Sequence, residues 1–227
     1  MSPSLPANTD LLRRVPQISD ITLADIPAEI GLFPLSGIVL LPHGKLPLNV
    51  FEPRYIALVE DALASHRLIG IIQPDIHTSE QLTGQATIPL YKTGCVGRII
   101  SFAEKPDNTF VITLRGIIRF RTLRETQPHR NYRCARIDAS GFAGDLSEVS
   151  SAPFDRKKLL TALRYYLSKK NINVRWSAIE QMEDDILLIT LPMICPFPPA
   201  EKQALLDAAT LSERINLLHR LLDLTGL

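Results

Sequence analysis

The side chains of this chain that could do chemistry do not come at spacings that build a reaction centre. Its five histidines form no His-x-x-x-His pair and have no nearby cysteine partner, so a zinc site has little support; they are His43, His66, His77, His129 and His219. Residues 77–80 (His-Thr-Ser-Glu) have the residue types of hydrolytic enzymes, but neighbours on one loop rarely form a triad. The consecutive acids 183–185 point in different directions on a helix, which indicates a solvated face. The sequence therefore predicts no catalytic residue, no metal site and no cofactor.

A basic segment is the one charge feature that suggests a ligand. Residues 115–136 contain seven arginines and a single acid. Arg119 and Arg121 flank Phe120 on a predicted strand, so we expect both on the face opposite that ring. A basic stripe beside aromatic residues is typical of a nucleic-acid surface, which makes RNA binding through Arg115, Arg119 and Arg121 the alternative function. Against it, the net charge is only +1, and arginines on a solvated strand face also prevent edge pairing.

The composition is ordinary for a folded soluble protein, with 45% hydrophobic and 22% charged residues. Cys95, Cys134 and Cys195 lie far apart and form no Cys-x-x-Cys pair, which favours a reducing compartment over a disulfide framework. The first ten residues lack the basic start and apolar core of a signal peptide. No apolar run approaches the roughly 20 residues that span a bilayer. We therefore predict a cytoplasmic protein with no membrane contact.

The stretch from residue 29 to residue 75 organises the chain. Short apolar runs separated by Pro, Ser-Gly and Pro-His-Gly punctuation predict three strands joined by tight turns, at residues 31–35, 38–41 and 46–51. Residues 68–72 are apolar throughout, which predicts a strand that is buried on both faces.

Between these strands the apolar spacing changes to that of a helix. Tyr55, Leu58 and Val59 recur at helical spacing after Pro53, a residue suited to a first helical turn, so the pattern predicts a helix over 53–65. Glu52 and Arg54 are expected to fix this junction by hydrogen bonding, with the Glu52 carboxylate at the helix start.

Further strands follow in the middle of the chain. The predicted strands are at residues 94–102, 109–114, 117–121 and 132–137. Gly116 interrupts one of these apolar runs, which indicates a bulge or sharp bend that curves a sheet. Short strands, frequent turns and a bend favour a small closed barrel over a flat sheet.

Several of these pieces carry a recognisable pattern. The pieces are residues 32–35 (LFPL), 39–42 (VLLP), 46–55 (LPLNVFEPRY), 115–116 (RG) and 201–206 (EKQALL). In residue types and spacing the pattern resembles the LON domain, the N-terminal substrate-binding domain of the ATP-dependent Lon proteases. The resemblance implies a PUA-like β-barrel with the 53–65 helix packed on it, and a function in binding rather than in a reaction.

The modules that make Lon proteases enzymes are not found in this sequence. The ATPase would need a Gly-x-x-x-x-Gly-Lys-Ser/Thr loop to wrap nucleotide phosphates, and no such spacing occurs. The family's Ser-Lys peptidase module lies beyond the part of the pattern that matches. We therefore expect a stand-alone LON-domain protein that is not an enzyme.

The last third of the chain has the pattern of helices. Residues 141–153 are small and polar, which predicts a linker. Beyond it, an apolar stripe that ends at Asn171 predicts one helix, and Ser177 with Glu180 fits a capping box for a second that runs to Pro192. A third and a fourth helix follow, the fourth behind a capping box of Thr210 and Glu213. We interpret Trp176 as a core or inter-domain anchor.

Together these observations predict an α+β protein, a PUA-like β-barrel with a packed helix followed by a C-terminal α-helical bundle. Its parts are a tail (1–28), the barrel (29–140), the linker (141–153) and the bundle (154–227). The favoured function is non-enzymatic binding of unfolded or degron-bearing polypeptides, as an adaptor or regulator of proteolysis that partners an ATP-dependent protease. Because clefts form where lobes meet, the predicted peptide-binding residues are Leu41, His43, Lys45 and Trp176.

Overall fold

The computed structural model describes residues 15–75, 88–147 and 152–223. In these ranges there are six strands: β1 (Glu29–Pro34), β2 (Lys45–Val50), β3 (Leu68–Ile72), β4 (Thr93–Glu104), β5 (Phe110–Glu125) and β6 (Cys134–Asp138). There are also six α-helices: α1 (Pro53–Ala64), α2 (Arg156–Lys169), α3 (Trp176–Glu180), α4 (Asp184–Ile194), α5 (Pro199–Asp207) and α6 (Leu211–Asp223). Short 3-10 helices lie at Ile18–Asp20, Leu23–Asp25 and Ser140–Leu146. The protein is therefore α+β, with its strands before its helices except for α1.

The six strands form one mixed sheet in the order β2-β5-β4-β3-β1-β6. Strand β6 also pairs with β5. The series of neighbours β5, β4, β3, β1 and β6 therefore ends on the strand with which it began. All pairs are antiparallel except β1 with β3. The 16-residue strand β5 makes this possible, because its first six residues pair with β2 and its last five residues pair with β6.

The bend in β5 occurs at the glycine that the sequence marks. The register between β4 and β5 shifts after Gly116, since Gly97 lies opposite Gly116 while Val96 lies opposite Ile118. The predicted bulge is confirmed. A Cβ atom on Gly116 would lie 2.0 Å from the carbonyl oxygen of Leu41, so only glycine lets the β1–β2 loop approach β5 this closely.

The strand predicted at residues 38–41 is wrong, because this segment is a loop. Its side chains Val39, Leu40 and Leu41 are nonetheless almost completely buried. The loop is fixed on β5 by two backbone hydrogen bonds, from His43 N–H to the Gly116 carbonyl (2.8 Å) and from Gly116 N–H to the Gly44 carbonyl (2.9 Å). The run is apolar because it fills the core, and not because it continues a sheet.

Helix α1 matches its prediction within one residue, with Pro53 as its first residue. Its buried side includes Tyr55, which stacks on Phe33 of β1 at a ring-centroid distance of 4.1 Å. Glu52 is the N-cap residue, but its side chain accepts no helix amide and instead binds Arg54 Nε at 2.9 Å. The pair therefore forms its hydrogen bond within the junction, while the predicted capping role of the Glu52 carboxylate is wrong.

Helices α2 to α6 share an apolar core of their own that includes Leu163, Tyr166 and Leu187. Helix α4 also packs on the β-sheet side, because Ile189 and Met193 join the apolar cluster formed by the strands and α1. Residues 140–146, which overlap the start of the predicted linker (141–153), form 3-10 turns that pack along β5 through Phe142 and Leu146. None of the helices that the structure describes is long and apolar enough to cross a bilayer.

Two helix boundaries differ from those expected. The helix predicted from Ser177 to Pro192 is two helices, α3 and α4; Arg175 is the N-cap of α3, and Pro192 lies inside α4. The cap predicted at Thr210 is present, because its Oγ1 accepts the Glu213 N–H at 3.1 Å. The Glu213 carboxylate accepts the Ala209 N–H instead of closing a reciprocal box.

The close approach at Gly116 gives a stability prediction. We expect Gly116→Ala to lower the free energy of unfolding by about 2–3 kcal/mol, because the new methyl group must displace the Leu41 backbone from a packed core. Gly141→Ala is the matched control, since a Cβ atom on Gly141 would meet no other atom within 4 Å. Urea unfolding of both variants checks this, and an equal loss in the two would contradict it.

Candidate functional site

A cleft of about 390 Å³ lies where the β-sheet part meets the helices. Its walls are formed by β5, the β1–β2 loop, the 3-10 segment, helix α4, and the α5–α6 turn with the start of α6. The lining residues include Pro42, His43, Phe142, Asp145, Ile189, Ala209, Thr210, Leu211 and Arg214, together with Arg119 of β5. The walls thus combine apolar side chains with a small number of charged and polar groups, which is typical of ligand-binding pockets.

The β1–β2 loop holds one wall of the cleft in place. His43 has a φ angle of 65°, a conformation that favours glycine or asparagine. Gly44 lies so close to α4 that a Cβ there would be 2.5 Å from Met193 Sδ and 3.2 Å from Ile189 Cγ2. The loop is thus fixed between Gly116 of β5 and α4, and it carries His43 to the cleft.

A buried ion pair holds another wall of the cleft. Arg119 donates from Nε to Asp145 Oδ2 at 2.8 Å and from Nη2 to Oδ1 at 2.9 Å. Its Nη1 donates to the carbonyl oxygens of Leu206 (3.1 Å) and Ala208 (2.7 Å) at the end of α5. The Phe142 ring lies 4.8 Å from the guanidinium carbon. One side chain therefore joins β5, the 3-10 segment and the C-terminal end of α5.

A second arginine lies beside this pair with fewer partners. Arg214 of α6 has only 9% of its surface exposed, and its Nε donates to the Leu205 carbonyl at 3.0 Å. Within the described residues, its terminal nitrogens donate no hydrogen bond. Desolvation, together with the positive charge of Arg119, lowers the pKa of Arg214 to about 10. The guanidinium therefore remains charged at neutral pH while it is buried.

The four predicted peptide-binding residues do not come together. Leu41 is completely buried, and its neighbour His43 lines the cleft. Lys45 is exposed at the start of β2, opposite Arg115. Trp176 packs on the apolar core of the helices, where Arg164 covers its ring at 4.6 Å. Of the predicted set, His43 alone is at the cleft, and the core contacts of Trp176 agree with its interpretation as an anchor.

The predicted basic stripe is interrupted by acids from other parts of the chain. Arg119 is buried and paired with Asp145, so it does not belong to an exposed basic stripe. Arg115 is half-buried and Arg121 is exposed. Two more arginines of the segment form ion pairs, Arg130 with Glu60 and Asp61, and Arg133 with Glu125. Counting residues within one segment misses such partners, because Glu60, Asp61 and Asp145 lie outside it.

The groups considered for catalysis remain apart. The acids 183–185 are exposed: Asp184 pairs with Arg156, and the Asp185 carboxylate accepts the Ile186 N–H. No metal-ligating group of three side chains occurs within the part of the chain that the structure describes. Burial raises the pKa of the Cys195 thiol to about 12, so it is protonated at neutral pH. Residues 77–80 lie outside the described ranges.

Sequence analysis missed a second surface. Phe51 and Phe102 are exposed by 68% and 41% of their surface. Both lie at one end of the sheet, because Val50 pairs with Phe110, whose ring contacts that of Phe102 at 4.9 Å. The apolar spacing places Phe51 in the predicted strand at residues 46–51. The signal against its burial is its position after the end of the alternating pattern of β2.

Comparison with solved structures shows the fold. The Lon N-terminal domain protein of Xanthomonas campestris aligns with a TM-score of 0.55 at 23% identity, over 84% of this chain and 96% of that chain. Among curated proteins, Lon protease 2 of Myxococcus xanthus is 28% identical and the Lon protease of Anaeromyxobacter dehalogenans is 26% identical, each over 213 residues. These two alignments cover 89% of this chain and 24% of each relative, so the chain spans about a quarter of their length.

The family follows from a match over most of the chain. Residues 29–223 match the model of the ATP-dependent protease La (LON) substrate-binding domain. The chain belongs to this family, which confirms the resemblance seen in the sequence. The matched model is that of the substrate-binding domain, and not that of an ATPase or a peptidase.

The buried pair gives a second stability prediction. We expect Asp145→Ala to lower the free energy of unfolding by about 3–5 kcal/mol, because the buried guanidinium groups of Arg119 and Arg214 then have no carboxylate beside them. Glu52→Ala is the matched control: it breaks the Arg54–Glu52 pair, whose side chains are 49% and 42% exposed, and should cost less than about 1 kcal/mol. Chemical unfolding measures both losses, and a loss in Asp145→Ala no larger than that in the control would show that the pair does not hold the wall.

Proposed function

We propose that the protein is a non-enzymatic polypeptide-binding domain that acts in proteolysis, and that a segment of the bound chain enters the cleft at His43. The observation that carries this proposal is the cleft itself, in a chain of the LON substrate-binding family. Its apolar walls at Pro42, Phe142 and Leu211 can bury side chains, and its polar groups can satisfy a polypeptide backbone.

The nature of the ligand and of the partner is also a proposal. The bound chains are unfolded or degron-bearing polypeptides, and the partner is an ATP-dependent protease for which this domain serves as adaptor or regulator. The names of the two curated relatives, both Lon proteases, support this context. For the fold, we infer that the returning pairings of β5 form the PUA-like barrel, and that α2 to α6 form the bundle, which the apolar core that these helices share supports.

RNA binding gains no support from the arrangement of the arginines. Arg119 is buried in its ion pair with Asp145 and is not part of a surface. Arg130 and Arg133 form ion pairs with Glu60 and Glu125. Arg115 and Arg121 remain as candidate phosphate contacts. RNA affinity that falls steeply with salt would favour this alternative, whereas binding through apolar contacts should persist as salt rises.

Blocking the cleft tests the favoured function. We expect Ala209→Tyr to weaken the binding of fluorescein-labelled casein, a permanently unfolded protein, by about tenfold or more, which corresponds to about 1.4 kcal/mol. Ala209 is exposed and lines the cleft, so a larger side chain there fills space without removing a core contact. Fluorescence polarisation gives the dissociation constant.

Two further variants make this experiment decisive. Ala204→Tyr places the same ring at an exposed position of α5 that does not line the cleft, and it should bind casein like the unmodified protein. The double variant Phe51→Ser with Phe102→Ser tests the other apolar surface. If the double variant lost binding while Ala209→Tyr retained it, polypeptides would dock at the sheet end and the cleft assignment would be refuted.

A further inference from the structure

The cleft contains more positive than negative buried charge. Arg119 and Arg214 are both buried, and Asp145 is the acid that lines the cleft with them. Both oxygens of Asp145 already bind Arg119. The carboxylate of Glu213, next to Arg214 in sequence, accepts the Ala209 N–H. Arg214 therefore has no carboxylate of its own among the described residues, an arrangement that costs free energy unless an anion compensates it.

Backbone carbonyls compensate this charge only in part. Leu205, Leu206 and Ala208 present their carbonyl oxygens at the C-terminal end of α5, and the two arginines bind all three. The end of a helix is equivalent to roughly half a negative charge. Two guanidinium groups set against one carboxylate and one helix end leave a positive excess, and the terminal N–H groups of Arg214 are available to donate to an anion at the cleft.

We propose that this cleft recognises a carboxylate of the bound polypeptide, and that Arg214 is the residue that binds it. The inference rests on the proposed polypeptide-binding function and specifies which group of the bound polypeptide the cleft recognises. The free terminal nitrogens of one guanidinium match the two oxygens of a carboxylate. Thr210 and the first turn of α6 lie in the same wall, where the helix N-terminus also favours negative charge.

The shape and the walls of the cleft favour the carboxylate at the end of a chain. A volume of about 390 Å³ is at the small end of the range for ligand pockets, so it suits a terminal residue better than a long extended segment. The apolar groups Pro42, Ile189 and Leu211 line the same cleft as Arg214, which fits an apolar last side chain beside its own carboxylate. The cleft would thereby bind the C-terminal residue of a polypeptide whose last side chain is apolar.

Three synthetic peptides test the proposal on the intact chain. All are fluorescein-labelled decapeptides of alanine and serine that end in leucine; the first has a free C-terminal carboxylate, the second a C-terminal amide, and the third an amide plus one internal glutamate. A charge-assisted hydrogen-bonded contact is worth about 1.5–3 kcal/mol. We therefore expect the free-ended peptide to bind about tenfold or more tightly than the amide, with the glutamate peptide close to the amide.

Variants then assign the effect to one side chain. Arg214→Met should bind the free-ended and amidated peptides equally, whereas Arg220→Met, a matched change at an exposed position of the same helix, should retain the preference. Circular dichroism verifies that each variant is folded. A readout that needs no variant is the melting temperature of the unmodified protein, which the free-ended peptide should raise more than the amide does.

Each contrary result has a separate meaning. Equal binding of the free-ended and amidated peptides, or a preference that survives Arg214→Met, would overturn the proposal. Binding of the glutamate peptide as tight as that of the free-ended one would overturn the assignment to the chain end. Failure of every peptide while casein still binds would overturn the carboxylate inference and leave the proposed function standing, whereas failure of casein as well would refute the proposed function itself.

Discussion

The buried contact between Arg119 and Asp145 joins parts of the chain that are otherwise far apart in sequence. Arg119 belongs to the bent strand β5, Asp145 to the 3-10 segment, and the carbonyl oxygens that Arg119 also binds belong to the end of α5. A buried guanidinium needs acceptor oxygens at hydrogen-bonding positions, because an unpaired buried charge lowers the free energy of unfolding by several kcal/mol. These hydrogen bonds contribute to the position of α5 relative to the sheet, and hence to the cleft between them.

Close approach of backbones is the second constraint on the same region. Gly116 and Gly44 lie where a Cβ atom would meet the Leu41 carbonyl or the Met193 side chain. The loop between β1 and β2 can therefore lie against both β5 and α4 while its apolar side chains fill the core. The packed loop, the buried ion pair and two helix ends form the cleft within the fold itself, and a preformed cleft lowers the ordering cost of binding.

Local patterns predict much of the fold, and contacts between distant residues account for most of the misses. Helix α1, strand β3 and the bulge at Gly116 follow from apolar spacing, Pro53 and one glycine. The loop at residues 38–41 resembles a strand in sequence because burial alone gives the same apolar run. Of the cleft residues, the sequence names His43 as a peptide contact and Arg119 as an RNA contact, but it does not show the ion pair that buries Arg119. Arg214 escapes sequence analysis because its significance depends on having no carboxylate partner among the described residues, which no local sequence pattern shows.

Hydrogen exchange followed by mass spectrometry, on the protein with and without saturating unfolded casein, tests the central claim most directly. Binding at the cleft should slow amide exchange in the 3-10 segment and around the α5–α6 turn, near Phe142 and Ala209. Protection confined to the sheet end near Phe51 and Phe102, with unchanged exchange around the cleft, would contradict it.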